Sequence, residues 1–479
     1  MSPIQELRVA NLTEAVSTED FSATGSLETK NPVPFTLAAA VAAVANILLW
    51  FPGIMTRDSF RQFTEARTGL YTDWHPPVMA WLWSWTLPVF PSSGAAFLIF
   101  DCVVYWGAVA LIATDLARIG HRRAALAVAL IAAAPPFIVM NAFVWKDTMM
   151  AVCLLGAFAG VLHMRLGSRH RLAWSMGVAL LLLLAVLARS NAIIAAAPLI
   201  VYWTAANTRL WKQLALGLAV IVAGILFHGF VNAELLGAER SRSYNSLKVY
   251  DVAGVAHFSR DTSVYPVAPP LALVDRCYDP QQWDWIGRGE CAELLSRQVK
   301  GARPWAQSVA RHPMAYLQHR FAHFNEEMFG WVPYRAFRYR DTRGNPLSAV
   351  VERPALEEAG ITAHGLMASF PLLSPALFLI AGLGAMLLAW RRLNLRDHLV
   401  QAGLFLCASA TLYAGAFFLI GVANMWRYQF HSILTASIGA TLIVSAHARQ
   451  GFTFGALEKS IAGVLVAALG VVTVARVVL

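Results

Sequence analysis

Apolar runs of about twenty residues recur along this chain from one end to the other. Of the 479 residues, 57% are apolar and only 14% are charged. This pattern predicts an all-α polytopic membrane protein with about 11 transmembrane helices. The predicted spans are 35–55, 94–114, 123–141, 147–164, 172–188, 191–206, 213–232, 367–390, 398–420, 427–446 and 460–478.

Basic residues fall unevenly on the two sides of these spans. An apolar run at 77–90, of about fourteen residues, is too short to cross comfortably and fits an interfacial or re-entrant helix. If it does not cross, one side receives nearly all the short-loop cations, and that side is cytoplasmic. These cations are Arg118, Arg122, Arg123, Arg165, Arg169, Arg171, Arg209, Lys212, Arg391, Arg392, Arg396, Arg449 and Lys459. The +10 formal charge therefore reflects topology and predicts no nucleic-acid binding.

The spans divide the chain into four parts. We expect residues 1–34 to form a disordered cytoplasmic tail, because they are polar and lack the pattern of a signal peptide. Residues 35–232 form a transmembrane core whose first exterior loop is 56–93. Residues 233–366 form a periplasmic loop or domain, and residues 367–479 form the C-terminal transmembrane helices.

Two features stand out within 233–366. Cys277 and Cys291 are the two ends of a fifteen-residue segment in an oxidising compartment, so we expect a disulfide that contributes roughly 3 kcal/mol by restricting the unfolded chain. Two unpaired thiols are the alternative. Residues 304–329 have the spacing of an amphipathic helix that breaks near Pro313.

Polar segments converge on the exterior face. They are the first loop, the Asn141–Asp147 turn, the 233–366 region and the Gly421–Tyr428 turn. In the first loop, acidic and basic side chains lie among aromatic residues at the membrane boundary, where charge is costly unless it faces water or a site. Its charged and titratable residues are Asp58, Arg61, Glu65, Asp73 and His75.

An acidic residue after the first span, followed by Asp73–Trp74–His75–Pro76–Pro77, resembles the first exterior loop of protein O-mannosyltransferases. A Pro-Pro run in the same place is similar to the lipid A aminoarabinose transferases. Both belong to the GT-C class of integral-membrane glycosyltransferases, which use polyprenyl-phosphate sugars. The mannosyltransferases place two adjacent acids where this chain has Asp58 and Ser59, so the resemblance implies the class rather than the sugar.

The resemblance implies that Asp58 is the catalytic base and that Asp147 occupies the second acidic position of the class. The alternative for Asp58 is a helix cap, because Ser59-x-x-Gln62 resembles a capping box. Asp147 either belongs to the site or favours a helix N-terminus by its charge. No motif identifies a cofactor, and a divalent cation at Asp147 stays open.

A sugar on a polyprenyl phosphate has a good leaving group, so the site needs cations for the phosphate more than a general acid. The candidates for binding substrate or phosphate are Lys146, His75, Arg320, Arg427, Tyr428, Arg61 and Asp73. Each cation has an alternative role in a structural ion pair or at a lipid headgroup. Likewise, the four tryptophans between positions 74 and 85 either stack on sugar or, as we favour, anchor the interface.

Together with the topology, the resemblance implies a multi-pass glycosyltransferase of the bacterial inner membrane whose active site faces the periplasm. It moves a sugar from a polyprenyl phosphate to a periplasmic glycan, lipid or protein, with inversion. Two alternatives stay open at this point. One is an O-antigen polymerase or ligase, and the other is a transporter, which predicts broken spans and charges at the midplane.

Overall fold

The computed structural model describes residues 33–241, 243–296, 302–333, 354–450 and 455–479. The predicted tail at 1–34 therefore lies almost wholly outside the described residues. The helices in chain order are α1 Val33–Trp50, α2 Arg57–Thr68, α3 Val78–Thr86, α4 Ala95–Arg118, α5 Arg122–Ala132, α6 Pro135–Met140, α7 Lys146–Arg165, α8 Arg171–Ala188, α9 Ala192–Ala205, α10 Leu210–Phe230, α11 Asn245–Ser259, α12 Leu271–Cys277, α13 Ala292–Ser296, α14 Ala302–Arg311, α15 Pro313–Glu327, α16 Pro354–Ser369, α17 Pro375–Arg392, α18 His398–Ile420, α19 Phe430–Arg449 and α20 Ala456–Val478.

The predicted all-α polytopic fold is confirmed. Among the described residues, eight helices are long and apolar enough to cross a membrane, namely α4, α7, α8, α10, α17, α18, α19 and α20. The shorter apolar helices α1 and α9 cover two more predicted spans. The predicted span 123–141 is divided into α5 and α6, because Pro135 and Pro136 cannot donate the backbone hydrogen bonds that would continue α5.

Helix α7 lies at the centre of the bundle. It packs against α4, α8, α9, α18 and α19, and almost all of its spanning segment is buried. Helices α10 and α20 lie at the periphery, where most of their apolar side chains are exposed. A residue at the first turn of α7 is therefore held by the most tightly enclosed helix of the protein.

The short helix α2 begins at Thr56, its N-cap residue. The Ser59 hydroxyl accepts a hydrogen bond from the Thr56 backbone N–H at 3.2 Å and donates one to the Val144 carbonyl at 2.7 Å. The Trp145 indole N–H donates to the Thr56 hydroxyl at 2.8 Å. These bonds join the loop after α1 to the turn before α7, and so fix the start of both helices together.

Helix α3 contains 9 residues, about 13 Å at the rise of an α-helix, which is too short to cross a bilayer. It follows Pro76 and Pro77 and packs against α2. The predicted short, non-crossing run at 77–90 therefore folds as a helix of the expected kind.

Residues within 245–296 and 302–327 form a second hydrophobic core outside the bundle, built on α11 with α12, α14 and α15 packed around it. Helices α14 and α15 are separated at His312, as the predicted break near Pro313 requires. Helix α15 also packs against α18, which connects this second core to the spanning helices. Cys277 and Cys291 form a disulfide at its edge.

Candidate active site

One cavity of about 2340 Å³ opens at the end of the bundle where α7 begins. The four polar segments predicted to converge all contribute to its wall, together with the α8–α9 turn and the end of α10. The first exterior loop, the start of α7 and the α18–α19 turn contribute charged side chains to it, among them Asp58, Lys146 and Arg427. Residues from 281 to 288 and from α16 complete the wall.

Two carboxylates and two guanidinium groups alternate at the start of α7. Arg427 contacts Asp58 directly, and its Nε lies 3.7 Å from Oδ2 of Asp147. The other carboxylate oxygen of Asp147 contacts Arg189. Asp147 is almost fully buried, whereas the Asp58 side chain is 32% exposed. Asp58 is therefore the carboxylate of this ion-pair cluster that a substrate reaches more readily.

Lys146 adds a third cation next to this cluster. Its ammonium donates a hydrogen bond to Nδ1 of His75 at 2.7 Å. When Lys146 carries its proton, its ammonium only donates, so Nδ1 accepts and the imidazole proton lies on Nε2, which faces Asp58 at 3.8 Å. In that state Lys146, Arg189 and Arg427 exceed the two carboxylates by one positive charge, which suits a phosphate.

The environment also decides which groups are charged. Burial alone raises the pKa of Asp58, but the guanidinium of Arg427, followed by His75 and then Lys146, holds that pKa well below its usual range. Burial, and then the positive charge of Lys146, lower the pKa of His75 well below its ordinary value. Asp58 is therefore an ionised carboxylate at neutral pH and His75 is a neutral imidazole.

Each of the two guanidinium groups lies over the face of an aromatic ring. The Arg427 guanidinium lies 4.6 Å from the Trp145 ring centroid, and the Arg189 guanidinium lies 4.4 Å from that of Tyr428. Nε of Arg189 also donates to the Asn191 side chain at 2.9 Å. These contacts restrict the orientation of both cations. Tyr428 therefore has a defined position beside the ion-pair cluster.

Arg61 and Asp73 line the cavity, and their side chains pair with Glu65 and Ser241 rather than with the ion-pair cluster. The Arg61 side chain is 45% exposed and lies 3.8 Å from Glu65. Asp73 accepts a hydrogen bond from the Ser241 backbone N–H at 2.5 Å. Their roles in binding substrate remain proposals, and Asp73 has a clear structural contact to the segment after α10.

The structure places Arg320 away from the cavity, contrary to its predicted place at the phosphate. The side chain is fully buried, contacts Asp251 and donates to the Gly421 carbonyl at 2.7 Å. Nε2 of His319 lies 3.2 Å from the same Asp251 carboxylate. The structural ion pair left open as an alternative therefore describes Arg320, which secures the second core to the α18–α19 turn.

The cap proposed as the alternative role of Asp58 is also different in the structure. The capping box joins Thr56 to Ser59, and not Ser59 to Gln62. Asp58 is the second residue of α2, with an acidic side chain in the first turn. A favourable interaction with the helix N-terminus remains, but the cap itself is supplied by Thr56.

The four tryptophans of the first loop have different environments. Trp83 is buried and donates to the Ser93 carbonyl at 3.2 Å. Trp81 and Trp85 pack against each other with ring centroids 4.2 Å apart. Trp74 is the member of this group that lines the cavity. Three of the four therefore fit the anchoring or packing role that the sequence favoured over a shared sugar platform.

Several residues of the site were not predicted from sequence. Arg189 lies in the turn between α8 and α9, yet it pairs with Asp147 from a different turn. Glu327 is fully buried, and its carboxylate accepts a hydrogen bond from Gln429 at 2.7 Å; burial raises the pKa of Glu327 well above its usual value. This bond fixes the residue two positions after Arg427. In the sequence, Glu327 is only an acidic residue in a polar stretch, and its burial becomes visible in the structure alone.

Within the described ranges, no three histidine, cysteine or acidic side chains group in a way that would hold a metal ion. Asp58 and Asp147 each face an arginine instead.

The neutral state of His75 gives a prediction about pH. An ordinary histidine gains its proton as the pH falls through about 6.5. Because the pKa of His75 is depressed, we expect no inflection from this group in kcat/KM for the donor between about pH 5.5 and 8. Initial rates across this range for the wild type and for His75→Gln should give curves of the same shape. A limb near pH 6.5 that disappears in His75→Gln would show that His75 titrates there.

Comparison with known proteins adds one family. Residues 74–231 match the family model described as dolichyl-phosphate-mannose-protein mannosyltransferase. The match includes Lys146, Asp147 and Arg189, and it begins after Asp58. No curated protein and no solved structure matches the chain. Over residues 74–231 the protein thus resembles this GT-C type family of membrane glycosyltransferases, which take their sugar from a polyprenyl phosphate.

Proposed function

We propose that this protein transfers a sugar from a polyprenyl phosphate to an acceptor on the periplasmic side of the bacterial inner membrane, with inversion at the anomeric carbon. The ion-pair cluster of Asp58, Arg427, Asp147 and Arg189, with Lys146 beside it, carries the proposal. It supplies one partly exposed carboxylate and an excess of cations in a single cavity at the ends of spanning helices.

The donor would enter from the side of the bilayer. Leu366 and Ile420 line the cavity and are 60% and 39% exposed. Apolar side chains at the mouth suit a prenyl chain, and the cations further in suit its phosphate. The phosphate is held by charge and by the planar guanidinium of Arg427, which is able to donate two parallel hydrogen bonds.

Binding of the phosphate would change the state of Asp58. Arg427 is paired with Asp58 in the absence of substrate, so a phosphate competes for the same guanidinium. As Arg427 turns towards the phosphate, the pKa of Asp58 rises towards its usual range and the carboxylate becomes a stronger base. Donor binding thus prepares the base, which limits the reaction to the loaded enzyme.

The transfer step is a single displacement. The acceptor oxygen attacks the anomeric carbon from the face opposite the phosphate while the bond from that carbon to the phosphate oxygen breaks. The bonding electrons leave with the phosphate, whose charge is stabilised by Arg427, Lys146 and Arg189. The acceptor proton passes to the carboxylate of Asp58. Asp147, buried between two guanidinium groups, acts as a positioning residue.

A direct assay tests the proposal. Purified full-length protein is incubated with a panel of radiolabelled polyprenyl-phosphate sugars, and release or transfer of the labelled sugar is measured. We expect turnover of at least one donor, and inversion is read from the anomeric configuration of the product by NMR. Turnover of polyprenyl-diphosphate glycans alone would support the polymerase or ligase alternative instead.

The proposal also includes the four parts of the chain, with the boundaries predicted from sequence, and the side of the membrane on which each part lies. We expect cysteines introduced as Ile119→Cys and Ser168→Cys to be shielded from a membrane-impermeant thiol reagent in intact cells, and Arg260→Cys to be labelled. Labelling of the native cysteines should be low, because the three free cysteines are buried and the other two form the disulfide. Labelling of the cysteine at position 119 would show that this loop faces the periplasm and that the predicted topology is wrong.

A further inference from the structure

The loop closed by the Cys277–Cys291 disulfide, called here the bracketed loop, supplies a distinct part of the cavity wall. The residues from Gln281 to Trp285 line the cavity. Behind them, Ile286 and Cys277 are buried in the second hydrophobic core. The loop therefore has one face fixed in a core and the other facing the substrate space.

Backbone hydrogen bonds fix this loop to the turn that carries Arg427. The Trp283 N–H donates to the Val422 carbonyl at 2.9 Å, and the Asn424 N–H donates to the Gln281 carbonyl at 2.8 Å. Gln282 and Ala423 form the antiparallel bridge between these two bonds. The loop is thus connected, through a segment of a few residues, to the cation that we place at the donor phosphate.

Aromatic rings and amide groups lie on the exposed face of the loop, beside the Asp284–Arg288 ion pair. The rings of Trp283 and Trp74 lie with their centroids 6.0 Å apart and their planes at 47°. Trp74 is 36% exposed and Trp285 is 41% exposed. Gln281 and Gln282 line the wall beside them. Indole faces pack against the C–H face of a pyranose ring, and carboxamides both donate to and accept from sugar hydroxyls.

The charges of the loop are largely paired within it. Arg288 lies 3.2 Å from Asp284, and Arg276 lies 3.3 Å from Glu290. The carboxylate of Asp279 accepts from the Gln281 backbone N–H at 2.8 Å. With these partners, the loop presents indoles and amides to the cavity rather than an excess of either charge. This chemistry fits a neutral saccharide better than an anionic ligand.

A peptide acceptor is less well matched. Extended peptides commonly bind by adding a strand to an open sheet edge. In the part of the chain that the structure describes, strand-like pairing is limited to isolated bridges, and the bridge of the bracketed loop already pairs Gln282 with Ala423. The observations therefore favour a saccharide over a peptide.

We propose that the bracketed loop and Trp74 form a saccharide subsite, and that the acceptor is a neutral glycan. The assignment of this saccharide as acceptor rests on the proposed glycosyl transfer. The subsite and the cation of Arg427 share one cavity and are joined by the Gln282–Ala423 bridge, so that an acceptor sugar held by the loop lies in the same space as the donor.

Binding is tested without the donor. Saturation-transfer difference NMR is measured on the full-length protein with linear hexasaccharides of glucose, mannose, galactose and N-acetylglucosamine. We expect at least one to bind through ring protons, and its affinity to fall about tenfold in both Trp283→Ala and Trp74→Ala. If Trp283→Ala loses stability, Trp283→Phe is measured as well. Because this variant keeps an aromatic face, it should retain most of the affinity.

Trp85→Ala is the matched control, because Trp85 is 64% exposed, packs against Trp81 and does not line the cavity. It should bind as the wild type does. The proposal is overturned if no hexasaccharide binds the wild type, or if affinity is the same in Trp283→Ala, Trp74→Ala and Trp85→Ala.

A second measurement separates the acceptor from the transfer reaction. Radiolabelled donor is supplied with the bound hexasaccharide or with a serine- and threonine-containing peptide library. Label on the saccharide supports the proposal, and label on peptides alone overturns the glycan acceptor while leaving the proposed function intact. Saccharide binding without any turnover of donor would instead retain the subsite and overturn the proposed function.

Discussion

Asp58→Asn should lower sugar transfer by about 100-fold or more, which is the usual scale for loss of a general base. The amide has nearly the size of the carboxylate and still accepts a hydrogen bond from Arg427, but it does not take the acceptor proton. Because α2 is capped by Thr56, the helix should keep its start. Transfer from a labelled polyprenyl-phosphate sugar and thermal unfolding of the same preparation measure the two effects.

Asp275→Asn is the matched control for this substitution. Asp275 is also paired with an arginine, Arg260, at 2.7 Å, but it lies on α12 at the surface of the second core and does not line the cavity. It should transfer sugar at nearly the wild-type rate. Near-normal transfer by a well-folded Asp58→Asn protein would remove Asp58 from the catalytic role and direct attention to Asp147.

Arg427→Gln should lower kcat/KM for the donor by about 100- to 1000-fold, as expected when a group that stabilises developing negative charge is removed. Arg427 contacts Asp58, lies 3.7 Å from Asp147 and faces the Trp145 ring, so no other residue takes its place directly. Arg427→Lys restores the charge but not the planar, two-pronged donor, and we expect it to recover only part of the loss.

Arg260→Gln is the control, because it removes an exposed arginine from an ion pair outside the cavity. Removing Arg427 also leaves part of a buried ion pair unmatched, which lowers the free energy of unfolding. Thermal unfolding is therefore measured beside activity. Equal losses for Arg427→Gln and Arg427→Lys in folded protein, with unchanged binding of donor, would argue against a phosphate contact.

Much of the fold follows from local sequence. Apolar runs of spanning length predict the helices, and the Pro135–Pro136 pair explains where one predicted span is divided. The position of Lys146 and Asp147 at the start of an apolar run already places them at a membrane boundary. Asp58 and His75 were found in the same way, because charge next to an apolar run needs a reason.

The partners within the site could not be predicted in this way. Asp58 and Arg427 are 369 residues apart in the chain, so no local spacing relates them. Arg320 illustrates the reverse problem. It shares the residue type and helical setting of a phosphate ligand, but only the packing of α15 against α11 and α18 shows that it is fully buried with Asp251. Which arginine meets which carboxylate is decided by tertiary packing.

The enclosure of α7 separates the chemistry of the site from the lipid around the protein. A change in bilayer thickness acts first on helices that face the acyl chains, through tilt and local matching of apolar length. Here those are α10 and α20, whereas Lys146 and Asp147 sit on a helix that lipid scarcely touches. His228 and Asn232, near the end of α10, line the cavity. Membrane composition should therefore tune how readily substrates enter, while the distances among the reacting groups stay the same.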